Sequence, residues 1–190
     1  MLQGRMVRLR ANEPADGARA RRWLSDPDVA RPHGERYASA PGDDLWLGPG
    51  PTNAYHGVRL AIETNEGDHI GGVSLTEVQP EDRKGALRVL FADPARWSDG
   101  HGADVIETAL RFAFHDMNLH RVWLKTVDDD EAAIACYRAC GFRDEARLRQ
   151  EGYGRGRYRD LLVMAILRHE FDAIDARRNG GGEGAGHAGG

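Results

Sequence analysis

The residues best suited to chemistry stand at a helix entry. Gly100 and Gly102 follow a strand and a short loop. There they would let backbone amides approach a phosphate while the helix dipole favours its charge. The pair lacks the third glycine and trailing acid of a dinucleotide fold, and the glycine-lysine-serine/threonine of a nucleotide P-loop, which excludes both. A glycine-rich helix entry without a ligand fits it equally well. Cys136 and Cys140, four apart in a helical segment, read as reduced packing residues and not as a disulfide framework. The histidines at 33, 56, 69, 101, 115, 120, 169 and 187 show no HxxxH or HExxH spacing, so no metal is expected.

Composition bounds what can surround that entry. A chain of 190 residues, 41% apolar and 29% charged, is sized for one globular domain. Its net charge of -4 argues against nucleic acid as the main partner. No apolar run approaches the roughly 20 residues of a membrane span, and Met1 to Arg10 carries three arginines without the apolar core of a secretory signal. The expectation is a cytoplasmic protein with no membrane partner.

The periodicity predicts an alternation of strands and helices. A strand is expected at Arg5–Arg10 and a helix at Glu13–Leu24, with Asn12 as its cap and Pro14 in its first turn. Glycine and proline make Arg31–Thr52 a loop with one short helix at Asp43–Leu47. Strands at Gly57–Glu63, His69–Glu77 and Ala86–Ala92 form an antiparallel meander. A helix at Gly102–Met117 buries Val105, Ile106, Ala109, Leu110 and Ala113. Then come a strand at Arg121–Val127, a helix at Glu131–Cys140 stopped by Gly141, and strands at Arg143–Glu151 and Arg157–Leu167. The domain is expected over residues 1–172. Residues 173–190 are expected to form a disordered glycine-rich tail.

Joined together, these pieces resemble a known family. Asp93-Pro94, the loop Trp97-Ser98-Asp99-Gly100-His101-Gly102, and Asp129-Asp130-Glu131-Ala132-Ala133-Ile134 through Tyr137 to Gly141-Phe142 are similar to the GNAT superfamily of acyl-CoA-dependent N-acetyltransferases, and to its RimJ/RimL-like branch in particular. Val7-Arg8-Leu9-Arg10, Arg22-Trp23-Leu24-Ser25-Asp26-Pro27 and Ile70-Gly71-Gly72 extend the resemblance over nearly the whole chain.

The resemblance implies an α/β fold, a mixed, strongly twisted sheet with helices on both faces, splayed between its fourth and fifth strands. Acetyl-CoA, as co-substrate, would enter that V. Its pyrophosphate would meet the amides from Ser98 through Asp99, Gly100, His101 and Gly102 to Ala103, and its pantetheine arm the strand edge at Leu90, Phe91 and Ala92. Trp97, Asp130, Ala133 and Tyr137 complete the implied cofactor-binding set. An amine must attack the thioester as the free base, and the departing thiolate gains from a proton; Tyr137, a phenol, is the expected donor. Packing of its helix on the sheet is the plainer role for the same residue. The acceptor would be a primary amine of a small molecule, such as an antibiotic or metabolite, or of a peptide or protein N-terminus. Related folds often dimerise, so a homodimer is left open.

Three positions depart from the family pattern. Asp99 replaces a residue that is often basic and Asp130 a usual asparagine, each adding negative charge near an anionic cofactor at a cost on the order of 1 kcal/mol. Ala86 stands where the branch often carries a glutamate, which leaves Glu77 as the candidate base, with a water chain or a substrate amine of low pKa as the alternatives that need no side chain. The alternative these changes favour is a catalytically silent acyl-CoA or small-molecule binding protein. The acidic run Asp128 to Glu131 reads as a solvated helix cap, and Arg143, Arg147, Arg149, Arg155, Arg157 and Arg159 as decoration of a late hairpin.

Overall fold

The structure, a computed structural model, describes residues 1–26, 29, 57–154 and 156–179. The loop expected at Arg31–Thr52, with its short helix at 43–47, and the glycine-rich residues 180–190 lie outside the described residues.

Eight strands form one sheet: β1 (Leu2–Gln3), β2 (Val7–Ala11), β3 (Val58–Thr64), β4 (His69–Gln79), β5 (Lys84–Phe91), β6 (Arg121–Val127), β7 (Arg143–Gly154) and β8 (Arg157–Leu167). Their order is β1-β2-β3-β4-β5-β6-β8-β7, and β5 and β6 are the parallel neighbours in an otherwise antiparallel set. Among the described residues the α-helices of eight residues or more are α1 (Pro14–Leu24), α2 (His101–Arg111), α3 (Glu131–Ala139) and α4 (Arg168–Asn179). Among the described residues no helix is long and apolar enough to cross a membrane.

Strand alternation sorts the two faces. Leu87, Val89 and Phe91 join Val105, Ile106 and Leu110 of α2 in the main core, whereas Leu90 packs with Ala20, Trp23 and Leu24 of α1 on the opposite face. Helices therefore cover both faces, as expected.

Side-chain anchors fix the helices to the sheet. The cap of α1 is Glu13 and not Asn12: the Glu13 amide donates to Asp16 Oδ2 at 2.8 Å, because Asp16 sits at the third helical position. Asp16 is itself fully buried and accepts from both terminal nitrogens of Arg10, at 2.7 and 3.1 Å. Asp104 of α2 accepts the amides of Arg5, Met6 and Val7 at 2.9, 2.7 and 3.0 Å, which ties the turn before β2 to the start of α2.

The structure corrects the expected C-terminal boundary. Residue 172 falls inside α4, which runs on to Asn179. Phe171 is buried against Phe114, with ring centres 5.4 Å apart, and Arg178 reaches Glu107 of α2. Ile174 lies so close to Gly141 that a side chain there would collide with it, and Gly141 has a φ of +101°. These contacts hold a polar segment as helix where its composition alone points to a tail. The expected helix at Gly102–Met117 also divides, α2 giving way to one π turn over Phe112–Asp116.

Candidate functional site

The sheet opens at one place. β5 and β6 are paired only at Lys84 with Arg121, Gly85 with Val122 and Ala86 with Trp123. Beyond Ala86 the strands part, so the rest of the β5 edge meets no strand on that side. The Ala92 amide donates to the Ile70 carbonyl at 2.9 Å. Alternation along the strand then turns the amides of Leu87, Val89 and Phe91 toward the opening. Of the three residues expected to line this edge, Phe91 presents its amide, Ala92 spends its amide on β4, and Leu90 packs its side chain under α1. Val89, not singled out from sequence, becomes visible once the register is known.

The start of α2 stands at the mouth of this opening. A 3-10 turn, Pro94–Trp97, is capped by Asp93, whose Oδ1 accepts from the Ala95 amide at 2.9 Å. Gly100 then adopts φ +97°, a left-handed conformation in which other residues are strained. A Cβ on Gly102 would come within 3.1 Å of Cys136 Sγ and 3.2 Å of the Trp97 ring, so its lack of a side chain lets α2 close onto α3. The Ser98 amide is taken by the Ala95 carbonyl. Asp99 Oδ1 accepts from the His101 amide at 3.1 Å, and His101 Nδ1 lies 2.8 Å from the same oxygen. Arg96 reaches Asp99 Oδ2 at 3.1 Å. Burial works against the Asp99 carboxylate, but hydrogen bonds from His101 and Arg96 outweigh it and hold the group below the usual carboxylate range. The amides of Gly102 and Ala103 are left without partners among the described residues, as first-turn amides are unless something caps them.

α3 forms the opposite wall. Asp130 caps it, its Oδ1 accepting from the Ala133 amide at 3.2 Å, so that amide is already engaged. Burial pushes the Asp130 carboxyl up, with Asp129 adding to the effect. Asp130, Ala133 and Tyr137 share one helical face. Tyr137 is 6% exposed, its ring centre 5.3 Å from Trp97 and 5.8 Å from Phe142, and Trp97 stacks edge-on against Phe91 of β5 at 5.1 Å. This aromatic chain runs from the bare strand edge to the wall facing it. Burial, reinforced by the charge of Asp130, pushes the phenol well above its ordinary range.

Glu77 is not brought to this group. It stands at a bulge in β4 with φ +51°, and its Oε1 accepts from Arg88 at 3.0 Å on the α1 face of the sheet. The acidic run also differs from its expected role. Asp128 pairs with Arg147 at 3.1 Å, and Asp129 pairs with Arg157 and Arg159 at 2.8 and 3.1 Å, so these carboxylates anchor the β7–β8 hairpin while Asp130 caps the helix. Arg155, grouped with those arginines, lies outside the described residues.

Comparison with known proteins bears on this arrangement. A family model described as an acetyltransferase (GNAT) domain matches residues 6–143. Among curated relatives, a spermidine N(1)-acetyltransferase of Vibrio cholerae is 30% identical over 113 residues, covering 60% of this chain and 65% of the relative. The chain thus aligns with slightly less than two thirds of that relative's length. Solved structures align more fully. A Vibrio cholerae spermidine N-acetyltransferase in complex with CoA and spermine superposes with a TM-score of 0.75 at 24% identity, over 87% of this chain and 98% of the other. A dodecameric structure of spermidine N-acetyltransferase from the same organism gives 0.73 at 25%, over 87% and 96%.

Proposed function

Because the chain belongs to the GNAT acetyltransferase family, we propose that it transfers an acetyl group from acetyl-CoA to the primary amine of a small molecule. The observation that carries this reading is the opening between β5 and β6, with unpartnered helix amides at its mouth and a protonated phenol in its wall. The bare edge of β5 suits an extended arm that adds to a sheet, and the Gly102 and Ala103 amides at a helix start suit a phosphate. Acetyl-CoA supplies the activated thioester; the protein supplies orientation and hydrogen bonds. The amide of Val89 or Phe91 would stabilise charge on the acyl oxygen.

In the reaction the amine nitrogen bonds to the acyl carbon, the carbon–sulfur bond breaks, and the amine loses a proton. With Glu77 held by Arg88 away from this site, that proton passes to solvent water. A thiol titrates near ~8.5, well below the raised Tyr137 phenol, so full proton transfer from Tyr137 to sulfur is uphill. Its role is therefore to donate a hydrogen bond to the departing thiolate, with solvent completing the protonation. The curated relatives are spermidine N(1)-acetyltransferases and do not single out the RimJ/RimL-like branch expected from the sequence motifs; they support a small amine as acceptor. The dodecameric relative supports self-association of this chain. Free-thiol release from acetyl-CoA across a panel of amines tests the proposal: turnover that falls sharply in Tyr137→Phe supports it, and turnover unaffected by that change contradicts the role given to Tyr137.

A further inference from the structure

Three adjacent strands set Arg59, Ser74 and Arg88 in one row on the α1 face, since Arg59 pairs with Ser74 and Ser74 with Arg88. The neighbouring row is Thr76, Ala86 and Trp123, the last at which β5 and β6 are joined. The two arginines therefore stand beside the point where the sheet opens. Strand spacing puts their backbones about 10 Å apart, within reach of two long side chains closing on one group.

Their bonding state is unusual. Arg59 makes no hydrogen bond or ion pair with any described residue, and its Nε is shut off from water. Thr76 Oγ1, on the neighbouring row, and Asn12 Oδ1, just beyond the end of β2, are also buried without partners. Buried polar groups are rarely left so, because nothing replaces the water they lose. Arg88 gives one nitrogen to Glu77 and keeps the rest of its guanidinium open, its side chain 55% exposed. Arg8 and Arg10, on the same face, differ in that both are occupied by Glu63, and Arg10 also by Asp16.

We propose that Arg59 and Arg88 form an anion subsite that selects acceptor amines carrying a carboxylate or a phosphate. This rests on the transferase reading for the word acceptor, and on the row of arginines for the anion. A guanidinium offers a planar fork of donors matched to either oxyanion, and partial burial strengthens the pairing. A polycationic amine would meet like charge at the same place, which separates this chain from the relatives named for spermidine.

The test is isothermal titration of the CoA-saturated protein with γ-aminobutyrate, its uncharged amide, putrescine and aminopropyl phosphate. An anionic amine binds at least about tenfold more tightly than the amide and putrescine. That ratio collapses toward one in Arg88→Met and in Arg59→Met and is partly kept in Arg88→Lys, with melting curves confirming that each variant is folded. The stronger of the two anionic ligands tells carboxylate from phosphate. Equal affinities, tighter putrescine, or a ratio untouched in the folded variants overturns the subsite. Acetyl transfer is followed on the same amines: a preserved binding preference without turnover keeps the subsite and overturns the transferase reading.

Discussion

Asp130 and Tyr137 lie two turns apart on one face of α3, and the carboxylate of the first adds to the burial that keeps the phenol of the second protonated. A raised pKa means that Tyr137 stays protonated above the ordinary tyrosine value. No loss of kcat from this group is therefore expected at about pH 10, where an unperturbed phenol would be half ionised. Tyr137→Phe lowers kcat roughly a hundredfold while the affinity for CoA changes little, since only a hydroxyl is lost. A pH–rate profile and a CoA titration on both proteins check this; a break at the ordinary tyrosine pKa that vanishes in the variant would contradict the shift.

Asp99 and Asp130 place two carboxylates beside the proposed phosphate and pantetheine path. Removing either charge should tighten CoA binding about fivefold at low salt, with the gain shrinking as salt rises. Asp130→Asn should leave stability nearly unchanged, because asparagine caps a helix as well as aspartate does. Asp99→Asn frees Arg96 from its partner and should give the larger gain. Titrations at two ionic strengths read both effects, and weaker binding in either variant would argue against this placement of the cofactor.

Gly102 lets α2 close onto α3 by having no side chain. In Gly102→Ala the new methyl presses on Cys136, Trp97 and the Arg96 carbonyl, and the expected cost is about 1–2 kcal/mol after the better helix propensity of alanine is counted. Gly152→Ala is the control: its nearest neighbour is 3.4 Å away, an ordinary contact, so stability should hold. Urea unfolding of both variants measures the difference.

Acid should weaken the anchoring of α1. Burial works to raise the Asp16 pKa, but hydrogen bonds from Arg10 and the Glu13 amide override it and bring the carboxyl down to about 2. A folded-state pKa below the unfolded one gives stability that is full above the unfolded value and is lost as pH falls through the folded value. The window is about pH 4 to pH 2, and the loss about 2 kcal/mol. Denaturation curves through that range check it, and Asp16→Asn should lose this part of the pH dependence along with stability at neutral pH.

Local patterning carried much of this far. β6 and β8 begin and end where alternation places them, and the Gly100 and Gly102 entry to α2 is legible because its special backbone needs glycine. What escaped depends on distant partners. β1 is two residues long and exists through its pairing with Leu9 and Arg8. α4 is polar and owes its place to Phe171 and Arg178. The role of Asp128 and Asp129 needs the arginines of a hairpin about twenty to thirty residues away, and the row of Arg59 with Arg88 exists only in the register of three strands.

The opening between β5 and β6 is the proposed seat of acetyl-CoA. Isothermal titration of the protein with acetyl-CoA near physiological salt tests it most directly. Saturable one-site binding in the micromolar range is expected, tightened in Asp99→Asn. No heat of binding up to millimolar acetyl-CoA, in the wild-type protein and in that variant alike, would contradict it.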